Sequence, residues 1–160
     1  MLSEEVIKQY GHQLRTRVTG ILQERDTLLM VKHVGFGELG FLWSPPGGGM
    51  EYGLSAPENL KREFLEETGL EVEVKDFLFA CELLKPPFHA IELFFEVKAT
   101  GGELIVGKDP EMKDEHQIIK QVDYMTIAEI AGHPPKGMHK AFHNIEHIEE
   151  VLRRKGYYQI

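Results

Sequence analysis

Between Ser55 and Gly69 the chain carries a helix with both ends marked, and any fold it adopts must accommodate that element. Ser55 with Glu58 three residues later makes a capping box, in which each side chain satisfies the other's free backbone N–H. Pro57 falls in the first turn, where a missing donor costs nothing. At the other end Gly69 suits the left-handed position of a Schellman motif, with Leu70 placed to touch Leu65. A helix over about 56–68 follows. It sets Glu63, Glu66 and Glu67 at i, i+3 and i+4, so three carboxylates share one edge. Each like-charge pair so spaced costs about 0.2–0.5 kcal/mol in an isolated helix. Bound cations would offset that repulsion, and hard oxygen ligands select magnesium, manganese or calcium.

The rest of the chain limits what such a site can serve. With 160 residues it suits a single domain spanning 1–160. Its 18 Lys plus Arg against 26 Asp plus Glu give a net charge of -8, which argues against stable binding to nucleic acid. A polyphosphate substrate stays open, because metal ions at an acidic site reverse the local field. The lone cysteine, Cys81, forms no internal disulfide and reads as a small buried residue. With no basic, apolar start and no run of membrane-spanning length, a cytoplasmic location is expected.

Hydrophobic patterning predicts a mixed α/β architecture. Residues 3–10 suggest a leader helix within 1–14, stopped at Gly11. Arg15 to Leu22 and Thr27 to Lys32 flank the polar turn Gln23-Glu24-Arg25-Asp26 and read as a hairpin. Gly35, Gly37 and Gly40 mark a loop, after which Phe41-Leu42-Trp43 form a strand ended by Pro45-Pro46. Glu71 to Leu84 and His89 to Lys98 read as paired strands around Lys85-Pro86-Pro87, followed by strands at Glu103 to Val106 and Ile118 to Met125. Thr126 with Glu129 opens a short helix that ends by Gly132. Met138, Phe142, Ile145, Ile148 and Leu152 suggest a final helix over 136–155. On that helix His139, His143 and His147 would form a solvated stripe. The last residues, Gly156 to Ile160, are apolar enough to cover a groove or the partner in a homodimer.

Residues 48–70 resemble the signature of the Nudix hydrolases, G-x5-E-x7-R-E-U-x-E-E-x-G-U, where U is bulky and apolar. Gly48, Arg62, Glu63, Phe64, Glu66, Glu67, Gly69 and Leu70 fill their places, eight of nine, and Leu54 replaces the first glutamate. The resemblance implies an α/β/α sandwich with a mixed central sheet, and hydrolysis of a nucleoside diphosphate linked to another group. It implies magnesium or manganese, with Glu63 and Glu67 as ligands, Glu66 as ligand or base, and a carbonyl of Gly47 or Gly48 completing the coordination. Arg62 would orient the glutamates. With Leu54 unable to pair with it, Glu58 stands four residues earlier in the favourable order and is the expected substitute. A further ligand from a later loop is expected at Glu115, with Glu111 as runner-up. Arg15, Arg17 and Lys32 on the opening hairpin are candidates to contact phosphate. Pro86 falls sixteen residues past Leu70, near a proline that marks ADP-ribose hydrolases of the family, but it also suits a strand-to-strand turn. Two other functions compete with hydrolysis of a free nucleotide. One is a ligand sensor without turnover, and the other is removal of pyrophosphate from RNA ends, which the acidic balance disfavours.

Overall fold

The computed structural model describes residues 4–160. The expected leader helix is α1 (Glu4–Tyr10); residues 1–3 of that expectation lie outside the described residues. Next come β1 (Leu14–Glu24) and β2 (Thr27–Val34), an antiparallel hairpin with Arg25 and Asp26 at its tip. Then β3 (Phe41–Ser44), β4 (Gly47–Gly49) and α2 (Ala56–Thr68) bring the chain to its acidic helix. A long hairpin of β5 (Leu70–Lys85) and β6 (Phe88–Gly102) turns at Pro86-Pro87. β7 (Ile119–Thr126), α3 (Ile127–Gly132), α4 (Ile148–Leu152) and β8 (Gly156–Gln159) complete the order.

The eight strands run β3-β2-β1-β6-β5-β8, with β4 added to β1 and β7 to β2. The sheet is mixed. β1 lies parallel to β6, with Arg17 beside Glu92, while β4 runs antiparallel to β1 with Thr19 beside Gly47. Side chains alternate between the faces with period two. Leu28 and Met30 of β2 therefore join Trp43, Phe79, Phe94 and Phe142 in one core. Leu29 and Val31 join Val18, Leu60 and Phe64 in the other, beneath α2. This is the expected α/β/α sandwich. Helix α2 lies so close on β1 that a Cβ at Gly20 would sit 2.4 Å from the Phe64 ring.

The acidic helix forms as its sequence predicts. Both halves of the Ser55–Glu58 capping box are present, and Gly69 adopts φ 72° while its N–H donates to the Leu65 carbonyl at 3.0 Å. The second capping box, Thr126 with Glu129, likewise opens α3.

Two elements differ from expectation. The helix over 136–155 is replaced by 3-10 turns at Pro135–Gly137 and Lys140–Phe142, and by the five-residue α4. Other bonds displace the helical ladder: the His139 N–H donates across the fold to the Trp43 carbonyl of β3 at 2.8 Å, and the His139 ring accepts locally from the Ala141 N–H. Asn144, at φ 57°, turns the chain again, so Phe142, Ile145 and Ile148 reach the core without continuous helix. The other is Glu103 to Val106, which forms no strand; its backbone crosses the end of α2, where the Ile105 N–H reaches the Thr68 carbonyl at 2.9 Å. The last carbonyls of a helix lack donors, and this segment supplies them. Gly156 to Gln159 pair in parallel with the edge of β5, and Ile160 packs against the core. Among the described residues no helix is long and apolar enough to cross a membrane.

Candidate active site

The capped helix and the three-glycine strand set the geometry of the acidic cluster. Glu67 is buried, and both of its oxygens are engaged: Oε1 lies 3.0 Å from His33 Nε2, and Oε2 accepts the Gly47 N–H at 2.9 Å. Glu63 packs directly against β4, where a Cβ at Gly48 would fall 2.4 Å from its carboxylate. A side chain at that position would push the Glu63 carboxylate out of its present place. Burial, then repulsion from Glu67, pushes the Glu63 carboxyl up to about 8, against the pull of Arg62 and Arg17. Glu66 is the most open of the three, and burial raises it as well, with Arg62 pulling the other way.

Arg62 forks across the cluster. Its Nη2 donates to Glu63 Oε1 at 2.9 Å and to the Gly49 carbonyl at 3.3 Å, while Nη1 donates to Glu66 Oε2 at 2.9 Å. A bidentate guanidinium fixes direction as well as charge. The expected partner Glu58 is not there, because its carboxylate is turned back onto the Ser55 N–H and hydroxyl. Glu51 takes the position instead, with Oε1 3.6 Å from Arg62 Nη1. The two acids should therefore separate on mutation. Glu51→Ala should lower turnover about threefold to tenfold with little change in melting temperature. Glu58→Ala should leave turnover alone and lower the melting temperature only slightly, through loss of one half of the capping box.

A cavity of about 630 Å³ opens beside the cluster. Arg15 and Arg17 line it, as do Gly47, Gly48, Glu63 and Glu67. Arg15 stacks its guanidinium 4.2 Å from the Tyr10 ring centroid. Arg17 donates from Nη2 to the Gly47 carbonyl at 3.5 Å, with Nε 3.8 Å from Glu92 Oε1. Lys32 is elsewhere. It lies over Phe41 and Trp43, 4.9 and 5.9 Å from their ring centroids, in a separate hollow. Strand alternation is the cause: the next residue, His33, faces the glutamates, so Lys32 cannot. Glu115 is also outside the cavity, exposed and 3.5 Å from His116, whereas Asp109 and Glu111 line it. Pro86 serves the turn and lines the cavity too.

Sequence reasoning missed three buried participants, His33, Glu92 and His139. Glu92 bonds Thr19 Oγ1 and His139 Nε2, the latter at 2.9 Å. Burial alone would raise its carboxyl, but His139, Arg17 and Thr19 outweigh burial and hold it down at about 2. The solvated histidine stripe is thereby corrected. His139 is buried on Glu92, His143 Nε2 lies 2.8 and 2.9 Å from the carbonyls of Pro135 and Met138, and His147 sits at the start of α4. The signal for Glu92 was its place in a strand, where a lone acid among apolar residues needs a buried partner.

Among the described residues no three His, Cys, Asp or Glu side chains already converge as a closed metal cage. The donor set nevertheless suits a hard cation. Glu63 and Glu67 are buried and repel one another, and the glycine strand lets backbone oxygen approach them.

Comparison with known proteins agrees with this geometry. Residues 11–147 match the NUDIX domain. An ADP-ribose pyrophosphatase from Methanocaldococcus jannaschii is 30% identical over 142 residues, covering 78% of this chain and 82% of that protein. Among solved structures, a UDP-X diphosphatase superposes with a TM-score of 0.63 at 21% identity, covering 96% of this chain and 72% of the other. An ADP-ribose pyrophosphatase from Streptococcus suis gives 0.60 at 18% identity, covering 90% and 98%. The two structures carry the likeness of fold, and the domain match and the archaeal relative carry the kinship. With its glutamate helix, glycine strand and bridging arginine in register, the chain belongs to the Nudix hydrolase family.

Proposed function

We propose that this Nudix hydrolase cleaves the pyrophosphate bond of a small nucleoside diphosphate linked to a second group, of the ADP-ribose or nucleotide-sugar class. The observation that carries the reading is the Arg62 fork, which holds Glu63 and Glu66 on one helix edge beside the buried Glu67. The likeness to an archaeal ADP-ribose pyrophosphatase supports the choice of substrate class. Glu63 and Glu67, with a carbonyl of Gly47 or Gly48, would hold magnesium or manganese. Such ions offset the charge of the diphosphate and lower the pKa of a bound water.

The chain's own residues supply the remaining parts. Arg17 and Arg15 meet the phosphate oxygens from β1, and the wide cavity takes the two flanking groups. Glu66, the carboxylate most open to water, accepts the proton as the water oxygen attacks phosphorus. The P–O bond to the bridging oxygen breaks, and the two halves leave as monophosphates. Arg62 keeps one Glu66 oxygen occupied, so the other faces the water.

A panel of ADP-ribose, nucleotide sugars and nucleoside triphosphates, assayed for monophosphate release, tests the reading. Turnover of at least one diphosphate-linked substrate is expected with magnesium. Excess chelator should abolish it and restored magnesium recover it, and magnesium alone should raise the melting temperature. Absence of turnover on the whole panel, with ligand-dependent thermal stabilisation, would replace the enzyme by a sensor.

A further inference from the structure

The segment after β6 is bound to the end of the acidic helix by its backbone. The Ile105, Gly107 and Lys108 N–H groups donate to the carbonyls of Thr68, Glu67 and Glu66 at 2.9, 2.9 and 3.1 Å. These are last-turn carbonyls, which have no partner within a helix. Two of the three belong to the glutamates at the centre of the site. The approach is as close as backbone allows: a Cβ at Gly107 would lie 1.8 Å from the Glu66 carbonyl oxygen and 2.6 Å from the Glu67 carbonyl carbon. Neither is a flexible side-chain tip. Just upstream, a Cβ at Gly102 would meet the Gly69 carbonyl oxygen at 2.2 Å.

Beyond the crossing the same segment enters the loop that brings Asp109 and Glu111 to the cavity. That loop is tied at its far side as well. Tyr10 of α1 donates its hydroxyl to Asp109 Oδ2 at 2.9 Å, and the Gln117 amide bonds the Asp109 N–H and carbonyl at 2.7 and 2.9 Å. Helix and loop thus share one backbone junction.

We infer that residues 105–108 are a strap that positions Glu66 and Glu67, and that Gly107 is a positioning residue for hydrolysis. The strap acts through the helix rather than on substrate. Its N–H groups fix the rotation of the last turn of α2, and with it the direction of both carboxylates. A side chain at Gly107 forces the strap off the helix or displaces the turn beneath it. Either change misplaces acids that must hold a cation and a water in one geometry, where about 1 Å of displacement can cost about a hundredfold in rate. The catalytic part of this inference rests on the proposed hydrolysis; the attachment of the strap does not.

Two measurements on the full chain test it. In the unmutated protein, amide hydrogen exchange at Ile105, Gly107 and Lys108 should be slowed at least about a hundredfold, as for helix amides; exchange at open-loop rates would overturn the strap. In Gly107→Ala, kcat should fall at least about tenfold while KM changes less than about threefold. The magnesium concentration that half-saturates its thermal shift should rise. Gly132→Ala, where an added Cβ meets nothing within 4 Å, should match the unmutated protein in both. A folded Gly107→Ala with unchanged kcat and magnesium response would overturn the positioning role. Were Gly107→Ala not to fold, Lys108→Pro, which removes the single N–H given to the Glu66 carbonyl, takes its place under the same two outcomes. If the unmutated protein turned over nothing, the proposed hydrolysis would fall, and exchange with the magnesium titration would still judge the strap.

Discussion

Glu66→Gln and Glu67→Gln should each lower turnover at least tenfold, and only the second should also weaken the fold. Both remove a negative oxygen from the helix edge, and the loss should fall mainly on kcat because holding the cation and accepting the water's proton matter most at the reacting bond. Their surroundings then separate them. Glu66 is partly open and keeps one bond from Arg62 after the change, so its variant should melt close to the unmutated protein. Glu67 is buried between two partners, and an amide there turns a donor toward either the Gly47 N–H or His33 Nε2, where it meets a second donor unless the ring moves its proton to Nδ1. A buried donor facing another donor costs about 1–3 kcal/mol. Steady-state kinetics with thermal melts on the same samples read both effects. Near-normal turnover in the two variants together would remove the acidic cluster from the chemistry.

Removing Glu92 should have the largest effect on stability. Glu92→Ala leaves His139, Thr19 and Arg17 facing a buried hollow, and loss of one partner from a buried pair costs about 3–5 kcal/mol. KM should rise as well, since Arg17 loses the carboxylate that steadies it. The same carboxyl gives acid sensitivity a definite sign. Its folded value of about 2 is below the ordinary 4.5, so the folded state favours the ionised form. That contribution is fully present above about 4.5 and is lost as pH falls from there towards 2. Urea unfolding from pH 7 down to pH 3 should therefore show a steeper fall in stability for the unmutated protein than for Glu92→Gln. Parallel curves would take Glu92 out of the acid response.

Much of the site was legible because it is local. A capped helix declares its own rotation, so the shared edge of Glu63, Glu66 and Glu67 follows from spacing, and the close approach of β4 follows from three consecutive glycines. Partners brought by the sheet were not legible. Arg62 lies near Glu58 in sequence, yet it meets Glu51 because the capping box had already committed Glu58. Lys32 and His33 are one residue apart, and only the register of β2 decides which faces the acids. The C-terminal stretch misled for the opposite reason. Its apolar spacing is helical, but bonds from His139 and the turn at Asn144 interrupt the ladder that the spacing suggests.

The parallel pairing of β1 with β6 also bears on the order in which the protein can assemble. Arg17 and Glu92, neighbours in the ladder, are 75 positions apart in the chain, and α2 and β5 lie between them. The acidic helix can begin to form from nearby residues, whereas the basic wall must wait for a long loop to close. During synthesis β1 emerges with one edge unpaired until β6 follows, and unpaired edges invite association between chains. Substitutions that weaken this ladder should consequently appear first as lost yield of folded protein, before any change in the chemistry of the molecules that do fold.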